Sequence, residues 1–94
     1  MYSKDKLDRL AMLFKLFDDS TRLRILNVLM DEERCVGDIS SFLNMSQSSI
    51  SHQLKVLKQG QLIKDRKYGK NVYYSIKDEH VRKIISIGIE HIEE

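Results

Sequence analysis

The sequence predicts a mostly α, α+β chain: four helices, a small β-hairpin and a closing helix, in the order ααααββα. Three observations predict it. Leucine and isoleucine are plentiful, proline and tryptophan are absent, and there are only four glycines, which favours helices joined by few turns. Apolar residues recur at helical spacing in five separate stretches. Between the fourth and fifth, Val72, Tyr73, Tyr74 and Ile76 are strand formers, and Gly69 can supply the positive φ of a tight turn.

The 94 residues make a single domain, 1–94. A domain this small buries only about 60–65% of its unfolded surface, so oligomerisation is expected before any motif is read. No apolar run approaches the roughly 18 residues of a membrane span, and no signal-peptide pattern opens the chain. Cys35 is the single cysteine, which excludes an internal disulfide and points to the cytoplasm.

Lys4 to Phe17 carries Leu7, Leu10, Ala11, Phe14 and Phe17 at the spacing of one helix face. Met12, Leu13 and Leu16 widen that face, so it suits either the interior of one chain or a dimer seam. Asp18-Asp19-Ser20 breaks the pattern and offers caps for a second helix, Thr21 to Met30. Asp31 to Arg34 reads as a solvated connection. Asp38 can cap a short third helix whose Ile39, Phe42 and Leu43 face inward, and Asn44 tolerates the left-handed conformation that ends it.

Ser46 then caps a fourth helix that stops at Gly60. Ile50, Leu54 and Leu57 form its inner stripe, while Ser48, Ser51, His52 and Lys55 form the opposite one. Serine is a mediocre helix former, so this polar stripe is not what plain solvent exposure selects. Short hydrogen-bonding side chains suit a surface that must approach the floor of a DNA groove. Residues 38–60 therefore read as a helix-turn-helix, with the first helix supporting and the second reading.

Charge supports that reading. Residues 1–44 carry a balance of −1, residues 45–77 of +6, and residues 78–94 of −3. Ile39 to Lys64 contains no acid at all. A basic middle is the footprint of a polyanion-binding surface. The hairpin at 62–76 carries Lys64, Arg66, Lys67 and Lys70, so it reads as a wing placed to meet phosphates. Gln47, Ser48, Ser51 and His52 are the candidate base contacts; Lys55, Arg66, Lys67 and Lys70 are the candidate phosphate contacts. An enzyme is not expected, because neither Cys35 nor the neighbours Ser51 and His52 have an orienting third group, and no small organic substrate is implied.

The last segment, 78–94, is a helix with Val81, Ile84, Ile85, Gly88 and Ile92 on one face. It also carries Asp78-x-His80 and His91-x-x-Glu94, ligand types that suit Zn(II) without sulfur. His80 and His91 share a helix face but stand about 16 Å apart along the axis. One helix cannot bring both to a single ion. Two antiparallel copies could, with Asp78 and His80 of one chain facing His91 and Glu94 of the other in two equivalent sites. The alternative is that Asp78 is an ordinary N-cap and that His91 and Glu94 are ordinary polar residues.

Asp19-Ser20-Thr21-Arg22-Leu23-Arg24-Ile25-Leu26, Ser46 to Leu54, Gly69 to Ser75 and Asp78-Glu79-His80-Val81 together resemble the ArsR/SmtB-type winged-helix repressors, over nearly the whole chain. The resemblance implies a homodimer joined through its first and last helices. It implies repression at an inverted-repeat operator in double-stranded DNA and release when metal binds. The ligands of last-helix zinc sensors would fall on Asp78, His80, His91 and Glu94, with Co(II) or Ni(II) as other possible ions. It also implies a coupling contact from His91 to a backbone carbonyl near Gln61. Thiophilic members carry Cys-Val-Cys-Asp where this chain has Cys35-Val36-Gly37-Asp38, so the second thiolate is missing and Cys35 is expected to be a small buried residue. A repressor without metal response, and a dimer for which zinc is structural, are the competing readings.

Overall fold

The computed structural model describes residues 1–94. The five helices are α1 (Lys4–Phe17), α2 (Ser20–Val28), α3 (Val36–Leu43), α4 (Gln47–Gln59) and α5 (Glu79–Ile92). The strands are β1 (Arg34–Cys35), β2 (Ile63–Tyr68) and β3 (Asn71–Ile76), all antiparallel in the order β1-β3-β2. The chain has the winged helix-turn-helix fold, with β2 and β3 as the wing. The expected order gains one element, β1. Arg34 and Cys35 pair with Tyr74 and Tyr73, and two residues are too short to show a period.

The expected helix starts hold at three places. Asp19 accepts from the Arg22 N–H at 3.0 Å, Ser46 from the Ser49 N–H at 3.2 Å, and Asp78 from the Val81 N–H at 3.3 Å. The third helix departs from expectation. It begins at Val36, straight out of β1, with Cys35 at the cap position and no side-chain cap. Asp38 instead lies in the first turn, where a carboxylate still favours the positive end of the helix dipole. Asn44 has φ 53° and ends α3 as expected.

Gly60 ends α4 for a different reason than a left-handed cap. Its φ is −80°, and the residue with positive φ is Gln61, at 65°. Gly60 is required by closeness: a Cβ there would stand 2.3 Å from Leu16 Cδ1. The end of α1 packs onto the end of α4 at this point.

The core is wholly apolar. Ile25, Leu26, Leu29, Ile39, Ile50, Leu54, Leu57, Leu62 and Ile63 are essentially sealed from solvent, and Phe17, Ile76 and Val81 complete it. The inner stripe of α4 is as expected. Phe42 is not: it is 60% exposed, and its ring carries the Arg34 guanidinium at 4.5 Å. Arg34 also donates to the Val28 carbonyl at 2.7 Å and pairs with Glu32, so the connection is partly structural rather than merely solvated.

Most of α1's apolar face lies outside the core. Only Phe17 is buried, whereas Leu7, Leu10, Met12 and Phe14 are exposed. On α5 only Val81 is buried, and Ile87, Ile89 and Ile92 are exposed. Phe14, Phe17, Ile85, Gly88 and Ile92 line one apolar groove between the two helices. α1 thus packs on the core through Leu13, Leu16 and Phe17 and leaves the rest of its apolar face uncovered. No helix is long and apolar enough to cross a membrane.

Candidate nucleic-acid interface and metal centre

Packing fixes how α4 is presented. Ile50, Leu54 and Leu57 are buried, so Gln47, Ser48, Ser51, His52 and Lys55 are turned outward, and all five are exposed. The N-terminal turn faces outward with them, and its backbone N–H groups add positive potential toward an anion.

The wing carries its charge unequally. Gly69 turns it with φ 63°. Lys64, Lys67 and Lys70 are exposed and join no ion pair. Arg66 is different. Its Nε donates to Glu33 Oε2 at 2.9 Å and Oε1 at 3.1 Å, and its Nη2 donates to the same carboxylate. The guanidinium also lies over Tyr68 at 5.3 Å and Tyr73 at 5.6 Å. These hydrogen bonds hold the Glu33 carboxyl below its ordinary pKa and raise that of Arg66. Arg66, a candidate phosphate contact, therefore stays exposed on the wing while it is paired with Glu33. Asp65, the one acid of the basic middle, is bonded at 2.8 Å by Lys58 of α4, and that bond raises the Lys58 pKa.

On α5, the N-cap Asp78 stands 3.5 Å, Oδ1 to Nδ1, from the exposed His80. His91 and Glu94 lie at the other end, also exposed. None of the four is paired with a lysine or arginine. No three potential ligands gather within one protomer. This agrees with the spacing argument, since three helical turns separate the two pairs. Cys35 is half-buried rather than sealed. Gln61 is exposed, and no turn or loop hydrogen bond ends on its carbonyl.

Residues 19–65, from the N-cap of α2 into β2, match the family described as "Bacterial regulatory protein, arsR family". The chain belongs to the ArsR family. It is 37% identical over 92 residues to the transcriptional repressor SmtB homolog of Synechocystis, covering 98% of this chain and 70% of that one. It is 40% identical over 82 residues to the CadC homolog of Staphylococcus aureus, a cadmium resistance transcriptional regulatory protein, covering 86% and 68%. A solution structure of a homodimeric winged helix-turn-helix DNA-binding domain from Mycobacterium bovis superposes with TM-score 0.88 at 30% identity, covering 100% of this chain and 90% of that one. HlyU from Vibrio cholerae gives TM-score 0.88 at 29% identity, covering 98% and 100%. These relatives are DNA-binding transcriptional regulators, not enzymes.

Three pairings at the site are not visible in the sequence of this ArsR-family chain. Glu33 holds Arg66, Asp65 takes up Lys58, and Arg22 binds Gln53 of α4 at 3.3 Å. Each rests on an ordinary charged residue in sequence. Only the fold brings it beside a partner up to 33 positions away.

Proposed function

We propose that this chain is a metal-responsive transcriptional repressor that binds an inverted-repeat operator as a homodimer and leaves it when Zn(II) binds. One observation carries the reading. Two exposed half-sets of zinc-type ligands, Asp78 with His80 and His91 with Glu94, sit at opposite ends of a helix whose apolar face is uncovered. Burying that face against a second antiparallel α5 would complete two four-ligand sets. Two imidazoles and two carboxylates are a donor set suited to zinc, with Co(II) or Ni(II) as the next candidates. Bound metal would supply a link between the two protomers.

On the DNA side, Gln47, Ser48, Ser51 and His52 would meet base edges, and Lys55, Lys67 and Lys70 phosphates. The proposed link back to the metal runs from His91, whose second ring nitrogen needs an acceptor, to the free carbonyl of Gln61 just beyond α4. Coupling of this kind is reciprocal, so operator should weaken zinc affinity by the factor zinc weakens operator affinity.

The test is an operator-binding titration of the metal-free protein with zinc, cobalt and nickel, repeated with His80→Ala and His91→Ala. Zinc should release the wild type and leave both variants bound. A wild-type complex indifferent to all three metals would leave a repressor without metal response. Unfolding on chelation would instead mark a structural zinc.

A further inference from the structure

Arg22, near the start of α2, lies where three helices meet. Its Nε donates to the Leu16 carbonyl at 2.8 Å and its Nη2 to the Lys15 carbonyl at 3.1 Å. These belong to the last turn of α1, where carbonyls lack intrahelical donors. Its Nη1 donates to Gln53 Oε1 on α4 at 3.3 Å and stands 3.5 Å from Asp19, the cap of its own helix. The side chain is only 17% exposed. One planar fork therefore joins the end of α1, the start of α2 and the middle of α4. The ammonium of lysine could not satisfy all of these acceptors at once. A second contact fixes the same two helices, since Leu16 fills the space above Gly60.

From this geometry we infer that Arg22 is a positioning residue that holds α4 at a fixed distance and angle from α1. In a dimer joined through α1 and α5, it thereby sets the separation of the two reading helices. Gln53 is its receiver on α4, directly beside His52 in the chain. The inference rests on the reading of the chain as such a dimer. Half-site separation on DNA is a geometric property of a dimer, so spacing is where the linkage must show.

The experiment begins by selecting an operator from random DNA with the wild type. Binding is then measured to versions whose half-sites are moved apart or together by one or two base pairs. Arg22→Lys and Gln53→Met are compared with the wild type, with dimer mass and melting as controls. Each variant should lose on the order of tenfold at the best spacing, the weight of a charge-assisted hydrogen bond. Each should lose much less at displaced spacings, so that spacing preference flattens. The double variant should be no worse than either single one. Equal loss at every spacing would overturn the inference and make Arg22 only a cap for α1. A change in base preference confined to Gln53→Met would overturn it too, making Gln53 a base contact. If Arg22→Lys fails to fold, Gln53→Met alone decides. A monomeric wild type, or one without spacing preference, would refute the dimer reading itself, and the inference would fall with it.

Discussion

Glu33 and Arg66 meet across the sheet, with Tyr73 of the central strand between them. Arg66 pairs with Tyr73 on one side of β3, Cys35 pairs with Tyr73 on the other, and the Arg66 guanidinium reaches over that ring to the Glu33 carboxylate. The wing is thus tied to the segment entering β1 by a bidentate bond. We expect Glu33→Gln to free Arg66 for DNA. Non-specific affinity should rise, and the salt slope should steepen by about one phosphate contact. Binding measured between low and moderate salt on random duplex checks this; an unchanged slope would place Arg66 out of phosphate reach.

The same pair has a defined pH dependence. Hydrogen bonds from Arg66 depress the folded-state pKa of Glu33. A group depressed in this way adds stability that is present above its unfolded pKa, about 4.3 for glutamate, and lost as pH falls through the folded value. The wing clamp should therefore be intact and constant from pH 5 to 8, a window set by those values. The Tyr73 ring proton shifts should hold steady over that range and move only in more acidic solution. Movement near neutrality would contradict the assignment.

Gly60→Ala tests the packing of α1 on α4. The new methyl carbon would lie 2.3 Å from Leu16 Cδ1 and 3.0 Å from Cδ2, so the Leu16 side chain must move. Overpacking of this kind costs about 1–3 kcal/mol. Alanine is the better helix former, but Gly60 lies past the last turn and gains little from that. Thermal melting should show the loss, and Leu16→Ala in the same chain should recover part of it. Additive losses would mean that Leu16 is not the obstacle.

Base and phosphate contacts separate by their salt dependence. Lys70 is exposed at the tip of the wing and unpaired, whereas Ser51 and His52 lie on the outward face of α4. Lys70→Ala should weaken binding to all sequences alike and reduce the salt slope by about one. Ser51→Ala and His52→Ala should leave the slope unchanged and alter which bases are preferred, by about 1–3 kcal/mol at the affected position. The same effect of all three variants on operator and random DNA would remove the division of roles.

What the sequence made legible follows from period and charge. The inner stripe of α4 and the caps at Asp19, Ser46 and Asp78 are local patterns, and they fold as read. The wing's strands and the Gly69 turn are local in the same sense. β1 was invisible because a two-residue strand is defined by its partner, Tyr73-Tyr74, and not by itself. Helical spacing alone cannot tell a buried Phe42 from one stacked on Arg34. The pairing of Arg66 with Glu33 is not visible in the sequence because the two lie 33 residues apart. The reason for Gly60 lay in Leu16, 44 positions earlier in the sequence. For the metal set, the spacing excluded a site within one protomer, and the structure gathers none there.

Asp78 carries two roles that one pair of substitutions can separate. It caps α5 through the Val81 N–H, and in the proposed site it is also a zinc ligand. Asparagine caps a helix about as well as aspartate, so Asp78→Asn should melt close to the wild type. It forgoes only the roughly 0.3–1 kcal/mol that a negative charge gains at a helix N-terminus. Its carboxamide is a much weaker zinc donor than a carboxylate. Asp78→Ala should lose about 1 kcal/mol of stability through the missing cap and lose the ligand as well. If Asp78 is only a cap, zinc affinity measured by competition with a chelating dye should be the same for Asp78→Asn and the wild type. If it is a ligand, affinity should fall by at least roughly tenfold in both variants, since even groups that merely support a ligand are worth that much. The His80 ring, 3.5 Å from the same carboxylate, offers a control. His80→Ala leaves the cap untouched, so it should match Asp78→Asn in zinc affinity and the wild type in melting temperature.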